Sequence, residues 1–459
     1  MTSLRSLLAC DAQLSTRFIS DERSKVSIAA LLVGDGDRGE TANFRGSTVM
    51  AALPDQLSAA AALLALDGVA SRIILWPHDD VRPQLRSAMQ SASADVALTA
   101  WPLPHEAHAC AASPSQAQAE PCDGQRNTEW VLFTSGTTGQ PKLVVHTLES
   151  LSGHLWARDA RSHGAVWCTF YDIRRYGGLQ VFFRALLNGG SLVLSCSEEA
   201  PSRFLERAAT AEATHFVGTP SHWRKALMTD TANLISPKYI RLSGEAPDQA
   251  ILDRLRSTYP DAKIVHAFAS TEAGLAFEVT DGLAGFPQKL IGQVGGAAEI
   301  VVQDCTLMLR SARNAIGYIT GAAQVVAEPD GFVDTGDTVV LREGRYYFTG
   351  RRDGTINVGG LKVHPEEVES VINQHPDVQM SMVLGRANPI TGAIVVAKVV
   401  PRPGRSPAPS GSDACPRRLQ DDIRAFCSSR LDAYKVPAMV SFVDDFTLSP
   451  AGKLVRLGA

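Results

Sequence analysis

The feature that most constrains the fold is an alternation of strand-like and helix-like segments between about residue 130 and residue 268. Short apolar runs typical of buried strands alternate there with longer segments in which apolar residues recur at helical spacing. Parallel strands need crossover connections of a dozen or more residues, which helices supply. The sequence therefore predicts an α/β fold with mainly parallel sheets. The predicted strands are 130–133, 191–195, 214–217 and 263–268, and the predicted helices are 179–188, 203–211 and 249–258.

The N-terminal stretch continues the alternation. We expect strands at 28–33 and 71–75, with an Ala/Leu-rich helix over 57–67 between them. Residues 34–39, Gly-Asp-Gly-Asp-Arg-Gly, satisfy the glycine pattern of a dinucleotide site and raise the alternative of a nicotinamide oxidoreductase. Such a site also needs a helix directly afterwards. The polar segment that follows has no helical pattern, so we interpret these glycines as a surface turn.

The pattern changes in the C-terminal third of the chain. From about residue 296, strand and turn segments such as EIVVQD, VVLREG and RYYFTG predict a barrel-like part. After residue 353 the segments indicate a small α+β unit, with helices over 365–374 and 417–431, strands at 378–384 and 392–400, and a linker at 401–416. We predict two domains, a large one over 1–352 and a small mobile one over 353–459.

The charge balance argues against nucleic acid or an anionic membrane as a partner. The chain of 459 residues has 44 Lys and Arg against 48 Asp and Glu, a net charge of −4, whereas nucleic-acid-binding proteins carry strongly basic surfaces. No apolar run reaches the ~18 residues of a membrane-spanning helix, so we expect no membrane insertion. The 8 cysteines include no C-x-x-C pair, and scattered thiols are typical of the reducing cytoplasm.

The segment with the clearest chemistry directly follows the predicted strand 130–133. Its small residues let backbone N–H groups approach an anion, its hydroxyls add donors and its lysine adds a positive charge. These properties predict a triphosphate-binding loop that differs from the Walker pattern. The alternative is a flexible surface turn. The segment is Thr134, Ser135, Gly136, Thr137, Thr138, Gly139, Gln140, Pro141 and Lys142.

Further motifs follow in a fixed order. They are Gly244-Glu245-Ala246-Pro247, Phe268-Ala269-Ser270-Thr271-Glu272, Thr335-Gly336-Asp337, Gly350-Arg351-Arg352-Asp353 and Ser449-Pro450-Ala451-Gly452-Lys453. Together with the loop at 134–142, this series resembles the signatures of the adenylate-forming superfamily, which includes acyl-CoA synthetases, peptide-synthetase adenylation domains and luciferases. The resemblance covers roughly residue 130 to the C-terminus.

The resemblance implies a nucleotide site built from these motifs, with Gly244, Glu245 and Ala246 beside the nucleotide. Phe268, where the family usually has Tyr, offers a face for adenine. Thr271 would bond the α-phosphate, and Glu272 would hold Mg²⁺ through hard oxygens. Asp337 suits the ribose hydroxyls and Arg351 the ribose or phosphate. The alternatives are a core role for Phe268, a helix cap for Thr271 and Glu272, and a surface pair for Asp337 and Arg351.

The resemblance also implies two half-reactions in one site. The acid and MgATP form acyl-AMP and pyrophosphate, and a thiol then takes the acyl group. Lys453 would contact the carboxylate and α-phosphate in the first step. The small domain would then rotate about Asp353, withdraw Lys453, and bring Gly359 and Gly360 towards the thiol. Asn357 and Lys362 depart from the residues that many relatives carry, which bears on thiol recognition.

The acid pocket is predicted from two further segments. In TFYDIRRYGGLQ, residues 169–180, the pocket residues are Arg175, Tyr176 and Gly178, and Arg174 or Arg175 is a candidate to bind a second carboxylate or a phenolate. The second segment contributes His215 and Thr219. The alternative for the two arginines is a surface pair. We expect a small aromatic or medium-chain acid.

Three functional hypotheses follow from the resemblance. The first is an acid–thiol ligase of the acyl-CoA synthetase type that uses ATP, Mg²⁺ and CoA. The second is a stand-alone adenylating enzyme that loads a holo acyl carrier protein. The third is a catalytically silent adenylate-binding protein, against which the presence of Lys142, Glu272, Asp337, Arg351 and Lys453 argues.

Overall fold

The computed structural model shows four β-sheets covered by helices. It describes residues 2–9, 11–33, 40–77, 85–104, 127–134, 142–155, 164–196, 198–293, 298–319, 326–402, 414–449 and 452–456. The glycine pattern at 34–39 and most of the predicted phosphate loop, 135–141, lie outside these ranges.

The first sheet has six strands, and those at its centre run parallel. Parallel pairs join strand 48–51 to strands 72–75 and 96–98, and strand 72–75 to strand 129–133. Two antiparallel strands complete one side. In order across the sheet, the strands are Gly317–Tyr318, Leu143–Thr147, Glu129–Phe133, Arg72–Leu75, Thr48–Ala51 and Val96–Leu98.

The second sheet has eight strands and is parallel except at its two edges. In order, the strands are Gly274–Val279, Lys263–Ser270, Tyr239–Leu242, His215–Gly218, Val166–Thr169, Ser191–Leu194, Phe18–Ser20 and Lys25–Ser27. The parallel strands of both sheets confirm the prediction of a mainly parallel α/β fold. Parallel sheets need cover on both faces, which the connecting helices provide.

Helices pack between the two sheets and form the largest apolar core. The helix Gln56–Leu66 is buried at every residue, as expected for a helix that is apolar on all sides. It shares this core with the helix Tyr176–Leu187 and with strand residues of both sheets, including Trp130 and Trp167. Outside this layer, the helices Pro201–Thr210, Pro220–Ala226 and Gln249–Thr258 cover the other face of the eight-stranded sheet.

One predicted strand is wrong. Residues 28–33 form the helix Ile28–Val33, in which Ile28 and Leu31 are buried in the main core. A run of six apolar residues fits a buried strand and a buried helix equally well by periodicity, so tertiary packing decides between them. Because a helix precedes residue 34, the glycine pattern at 34–39 also lacks the strand that a dinucleotide site needs.

The third sheet has five antiparallel strands and confirms the predicted barrel-like part. In order, they are Phe286–Pro287, Arg345–Arg351, Val333–Arg342, Thr306–Arg310 and Glu299–Gln303. Its apolar face joins the edge of the eight-stranded sheet through Phe268 and Phe277. The remaining helices before this sheet are Leu4–Leu8, Leu85–Ala92 and Leu148–Ser152.

The fourth sheet is built only from strands after residue 353. The strands are Leu361–Val363, Ile356–Val358, Gly392–Pro401, Val378–Asn388 and Met439–Phe442, with the helices Pro365–Ile372 and Ala414–Ser428 packed on them. These elements confirm the predicted α+β content of this part. The boundary at residue 353 and the mobility of the small domain stay predictions.

Polar contacts join the C-terminal unit to the rest of the chain. Lys225 pairs with Asp445 at 2.7 Å, and the Asn373 amide donates to the Asp248 carboxylate at 3.3 Å. Asp248 also accepts the N–H of Ile251 at the start of its helix. The Lys225–Asp445 pair is exposed and contributes little stability, whereas the Asn373–Asp248 hydrogen bond is buried.

The first turn of the helix Tyr176–Leu187 allows a direct test of its packing. A Cβ on Gly178 would overlap the carbonyl oxygen of Asp172, whereas one on Gly177 would lie 3.7 Å from the ring of Tyr171, an ordinary contact. We expect Gly178→Ala to lower the free energy of unfolding by about 1–3 kcal/mol, because backbone must move. Gly177→Ala should change it by less than ~1 kcal/mol. Denaturant unfolding followed by circular dichroism measures both, and equal destabilisation would contradict this packing.

Candidate active site

The predicted phosphate loop is closed at its base by the hairpin that carries it. Strands Glu129–Phe133 and Leu143–Thr147 pair antiparallel, and the Thr134 N–H donates to the Lys142 carbonyl at 2.9 Å. The Lys142 Nζ lies 5.3 Å from the centre of the Tyr318 ring. The loop residues Ser135, Gly136, Thr137, Thr138 and Gly139 lie outside the described residues, so their role stays a prediction.

The Thr271–Glu272 segment forms a turn between the strands Lys263–Ser270 and Gly274–Val279. It is held by its backbone: the Thr271 carbonyl lies 2.7 Å from the His146 Nε2, and the Glu272 carbonyl accepts the Ala315 N–H at 2.7 Å. The two residues open no helix, so the alternative of a helix cap is wrong. The Glu272 carboxylate also accepts a hydrogen bond from the Tyr318 hydroxyl.

His146 is a residue that the sequence analysis missed. It is fully buried, and burial lowers its pKa to about 4, so the ring is neutral near pH 7. Its other nitrogen, Nδ1, lies 3.0 Å from the Ser150 hydroxyl. A neutral imidazole donates from one nitrogen and accepts at the other. His146 therefore ties the Thr271 turn to the six-stranded sheet.

Tyr318 is a second missed residue, and it lies between two predicted ones. The short strand Gly317–Tyr318 pairs with Leu143–Thr147 and brings the phenol close to the Glu272 carboxylate. Burial, and then the charge of Glu272, raises the pKa of Tyr318 to about 12. One end of the site therefore brings together Lys142, Tyr318 and Glu272, although Lys142 and Tyr318 are 176 positions apart in the sequence.

Asp337 and Arg351 face each other on neighbouring strands. They are paired in register, and the Arg351 Nη1 lies 3.9 Å from the Asp337 Oδ2. Burial raises the pKa of Asp337 above its usual value, while the charges of Arg351 and Lys453 oppose this rise. Lys453 is thus near enough to act on the Asp337 carboxylate, and the structure brings these three predicted residues together.

The C-terminal tail reaches the site through a contact with Thr219. The Thr219 hydroxyl donates to the Gly452 carbonyl at 2.7 Å and accepts the His222 N–H at 3.0 Å, which caps the helix Pro220–Ala226. Gly452 has a φ of +71°, and a Cβ there would overlap the ring of His222. Thr219, predicted as a pocket residue, therefore also holds the segment that presents Lys453.

A second anchor fixes the tail beyond Lys453. Arg456 donates to both carboxylate oxygens of Glu369, at 2.9 and 2.8 Å, and to Glu366 at 2.5 Å. Burial raises the pKa of Glu369 to about 7, against the opposing charge of Arg456. Glu366 and Glu369 lie on the helix Pro365–Ile372, so the tail is tied to the C-terminal unit that carries it.

The nucleotide-side residues at 244–246 and Phe268 lie on separate loops and strands. The Ser221 N–H donates to the Glu245 carboxylate at 3.0 Å, and Gly244 has a φ of +84°. Phe268 is half-buried, with its ring nearly parallel to Phe348 at 4.8 Å between centres and to Phe277 at 5.8 Å. These contacts fit a core role for Phe268, and adenine stacking on its ring stays a prediction. The role of Ala246 beside the nucleotide also stays a prediction.

Tyr176 connects the predicted acid pocket to the Thr271 turn. Its hydroxyl lies 3.3 Å from where a Cβ on Gly274 would stand, and its ring centre is 6.0 Å from that of His146. Burial raises the pKa of Tyr176 to about 12, so the phenol is neutral and can donate. Arg175 is the residue just before this helix. Glycine is needed at position 178 because a Cβ there would overlap the Asp172 carbonyl oxygen.

Two other residues of the predicted pocket have structural partners. Arg174 is buried and pairs with Asp172 at 2.8 Å, so the suggestion that it binds a substrate carboxylate is wrong. His215 packs against Trp167 and Tyr239, at 4.7 and 5.4 Å between ring centres. It begins its strand, whereas Thr219 follows the strand end about 13 Å away. A pocket role for His215 stays a prediction.

The predicted hinge and thiol-facing glycines lie in the C-terminal unit. Asp353 is exposed in the turn Arg352–Gly354, between the third and fourth sheets. Gly359 and Gly360 form an exposed hairpin turn, with φ of +60° and +89°, and Gly359 donates to the Thr391 carbonyl at 2.8 Å. Positive φ at two successive residues favours glycine at both. Their roles in a second step stay predictions.

Comparison with known families then identifies the chain. The AMP-binding enzyme family matches residues 42–327, and the AMP-binding enzyme C-terminal domain matches residues 367–453. This chain belongs to the AMP-binding enzyme family. The first match covers more than half of the chain and contains the Thr134–Lys142 loop and the Thr271–Glu272 turn. The second ends at Lys453.

Curated relatives of this AMP-binding enzyme include several CoA ligases. The chain is 26% identical to 4-hydroxybutyrate–CoA ligase 1 of Metallosphaera sedula over 71% of its length and 60% of that protein. It is 27% identical to benzoate–CoA ligase of Thauera aromatica over 74% of its length and 67% of that protein. It is also 29% identical to isonitrile lipopeptide synthase of Streptomyces coeruleorubidus, over 94% of its length and 30% of that protein.

Solved structures share the fold. The anthranilate CoA ligase AuaEII in complex with anthranoyl-AMP superimposes with a TM-score of 0.75 at 17% identity, covering 99% of this chain and 95% of that one. ATP-bound MatB from Rhodopseudomonas palustris gives a TM-score of 0.71 at 19% identity, covering 98% and 96%. In the part of this AMP-binding enzyme that the structure describes, no helix is long and apolar enough to cross a bilayer.

The tail contact at Gly452 generates a prediction. Gly452→Ala should release the tail and raise the rate of tryptic cleavage after Lys453 about tenfold or more, because an overpacked side chain costs ~1–3 kcal/mol. Mass spectrometry of a digestion time course measures this rate. Gly344→Ala is the matched control, since Gly344 has a similar φ of +76° but no heavy atom within 4 Å of an added Cβ. An equal rate for both variants would contradict the contact with His222.

Proposed function

We propose that this AMP-binding enzyme activates a carboxylic acid with ATP, releases pyrophosphate, and passes the acyl group from acyl-AMP to a thiol, with CoA as the acceptor. The observation that carries the proposal is the course of the C-terminal tail. Gly452 docks on Thr219 and His222, and the charge of Lys453 then acts on Asp337, the predicted ribose residue. The positive charge of Lys453, in the C-terminal unit, thus acts on the Asp337 carboxylate, in the larger part of the chain.

The nucleotide end of the site would be held by charges of both signs. In the proposed mechanism, Asp337 accepts the ribose hydroxyls and Arg351 donates to the ribose or a phosphate. Lys453 holds the attacking carboxylate against the α-phosphate and offsets the charge that develops there. A cation that is already held in place stabilises such a transition state because it does not have to reorganise when the charge develops. Lys142 and the 134–139 hydroxyls and N–H groups would hold the β- and γ-phosphates.

The residues at the Thr271 turn fit a magnesium ion bound mainly by phosphates. Mg²⁺ binds proteins through one or two carboxylates and keeps its other positions for water and substrate phosphates. Among the described residues, no group of three or more His, Cys, Asp or Glu is arranged to hold a metal, while Glu272 supplies one carboxylate beside Lys142. When bound, the ion would neutralise phosphate charge. Thr271 would donate its hydroxyl to the α-phosphate.

The second half-reaction is proposed to need a rotation of the C-terminal unit about Asp353. The rotation would withdraw Lys453 and bring the hairpin at Gly359 and Gly360 towards the acyl-adenylate, where two residues without side chains leave room for a narrow thiol arm. The exposed interdomain pair Lys225–Asp445 is weak enough for such a motion, and the buried Asn373–Asp248 hydrogen bond would break during it.

The thiol acceptor has two candidates. CoA is supported by relatives named as CoA ligases. A holo acyl carrier protein is kept as the second candidate, because the match to isonitrile lipopeptide synthase extends over 94% of this chain and 30% of that protein. The relative named for benzoate supports a small aromatic acid, and the one named for 4-hydroxybutyrate supports a short-chain acid.

A cytoplasmic location is part of the same proposal. The cysteines Cys168, Cys196, Cys305 and Cys427 are free thiols in the described chain. Free thiols are typical of reducing compartments. ATP and CoA are abundant substrates only inside cells, which agrees with this location.

Lys453→Ala tests the proposed mechanism. We expect it to lower acid-dependent ATP–pyrophosphate exchange by about a hundredfold or more, since removal of one charged transition-state contact costs ~3 kcal/mol. Thioester formation from supplied acyl-AMP and CoA should change by less than about threefold, because Lys453 has left the site in that step. Quantitative mass spectrometry of the thioester and radiolabel exchange measure the two steps.

Lys289→Ala is the matched control, because Lys289 is exposed on the short turn Gln288–Leu290, and it should leave both steps unchanged. Equal loss of both steps in Lys453→Ala would contradict the role given to Lys453. A wild-type protein that exchanges pyrophosphate with no acid of a broad panel would support the silent adenylate-binding alternative. Replacing CoA by a holo carrier protein distinguishes the two acceptors.

A further inference from the structure

The segment 315–319, which carries Tyr318, is held by backbone hydrogen bonds from two sides. Two of its N–H groups donate to carbonyls of the strand Leu143–Thr147, each at 2.8 Å. At its start, the Ala315 N–H donates to the Glu272 carbonyl at 2.7 Å. The backbone around Tyr318 therefore joins the strand that follows Lys142 to the turn that carries Glu272.

The side chain of Tyr318 makes the same connection a second time. Its hydroxyl donates a hydrogen bond to the Glu272 carboxylate, and the Lys142 Nζ lies over its ring, 5.3 Å from the ring centre. A cation within about 6 Å of the centre of an aromatic ring is attracted by the negative face of that ring. Tyr318 and Glu272 are both half-buried, and a hydrogen bond is stronger where water is partly excluded.

The carboxylate of a glutamate is poorly oriented by its own chain. The terminal torsion of a glutamate has a broad distribution, and fixing such a long side chain costs rotamer freedom. Within the described residues, no group of three or more His, Cys, Asp or Glu is arranged to hold a metal. The orientation of Glu272 therefore matters more here than in a site where several protein ligands hold the ion.

The hydrogen bond from Tyr318 can supply this orientation without blocking the ligand. A phenol has one O–H donor, whereas a carboxylate has two oxygens with about four lone-pair positions. One bond to Glu272 therefore leaves room for a metal on the same carboxylate. Groups that orient metal ligands in this way commonly change metal affinity by about tenfold to a hundredfold. A bond that served only folding would change stability and leave metal binding unchanged.

On the basis of the proposed function, we propose that Tyr318 is a positioning residue that orients the Glu272 carboxylate towards the magnesium ion of MgATP. Its ring holds Lys142 and its hydroxyl holds Glu272. A single side chain thus sets the spacing between the cation predicted to bind phosphate and the carboxylate predicted to bind the metal.

The test measures metal binding directly, with Mn²⁺ as the paramagnetic substitute for Mg²⁺. Electron paramagnetic resonance of free Mn²⁺ gives the dissociation constant of the ion from the ATP-saturated protein. We expect Tyr318→Phe to raise this constant by about tenfold, because the ring stays and only the orienting hydroxyl is lost. Isothermal titration calorimetry in EDTA should show that affinity for metal-free ATP changes by less than about twofold, since Phe still offers Lys142 an aromatic face.

Two further variants separate the hydroxyl from the ring and from folding. Tyr318→Leu removes both features, so it should also weaken metal-free ATP binding, by about twofold to fivefold. Tyr347→Phe is the matched control and should leave Mn²⁺ binding unchanged. It removes the hydroxyl of another half-buried tyrosine, on the strand Arg345–Arg351 of the third sheet. Thermal unfolding followed by circular dichroism checks that each variant is folded.

A double-mutant cycle shows whether Tyr318 acts through Glu272. Glu272→Gln should itself raise the Mn²⁺ dissociation constant, because a charged ligand is lost. Adding Tyr318→Phe to Glu272→Gln should change the constant by less than about twofold further, since the carboxylate that the hydroxyl orients is already gone. Residues that act through one contact give such non-additive effects.

Two outcomes overturn the proposal. One is Mn²⁺ binding by Tyr318→Phe equal to that of the wild-type protein, and the other is a full additive effect of Tyr318→Phe in the Glu272→Gln background. Failure of the proposed magnesium role of Glu272 looks different, because Glu272→Gln would then leave Mn²⁺ binding unchanged. In that case Tyr318 would have no metal ligand to orient, and its assignment would fall as well.

Discussion

The arrangement of the site depends on one contact between distant parts of the chain. A single hydroxyl, that of Thr219, accepts the N–H that caps its own helix and donates to the carbonyl of Gly452. Because Gly452 has no side chain, its backbone lies against the half-buried ring of His222. Its positive φ then sets the direction of the tail, and the charge of the next residue, Lys453, acts on the Asp337 carboxylate. The backbone of the residue before Lys453 therefore makes the contact that fixes this part of the tail.

The Thr271 turn follows the same principle. His146 and Ala315 hold the carbonyls of Thr271 and Glu272, so backbone groups fix the turn while the Glu272 carboxylate contacts Tyr318. Burial keeps His146 neutral, which lets it act as a fixed hydrogen-bonding bridge over the whole physiological pH range. Positioning through the backbone gives a rigid site whose functional side chains can still exchange partners during a reaction cycle.

Ionisable groups beside the Thr271 turn are kept neutral by burial. Burial raises the pKa of Tyr176 to about 12 and lowers the pKa of His146 to about 4, so neither side chain is charged near neutral pH. Charged groups gather instead near the tail, where the charges of Arg351 and Lys453 act on the Asp337 carboxylate. Interactions between charges are stronger where water is excluded, because the local dielectric is lower.

The sequence by itself determined the fold class and the family, since helical and strand periodicity and the ordered motifs are local patterns. It also singled out Asp337, Arg351 and Lys453 individually as candidate site residues. The sequence analysis assigned residues 28–33 to a strand, because six apolar residues fit a strand or a helix. It also suggested that Arg174 binds a ligand, whereas the Arg174 guanidinium pairs with the Asp172 carboxylate. Only the tertiary structure showed that Tyr318 and His146 lie beside the Thr271–Glu272 turn. Strand register and helix docking, which no local pattern encodes, bring those residues together from distant positions.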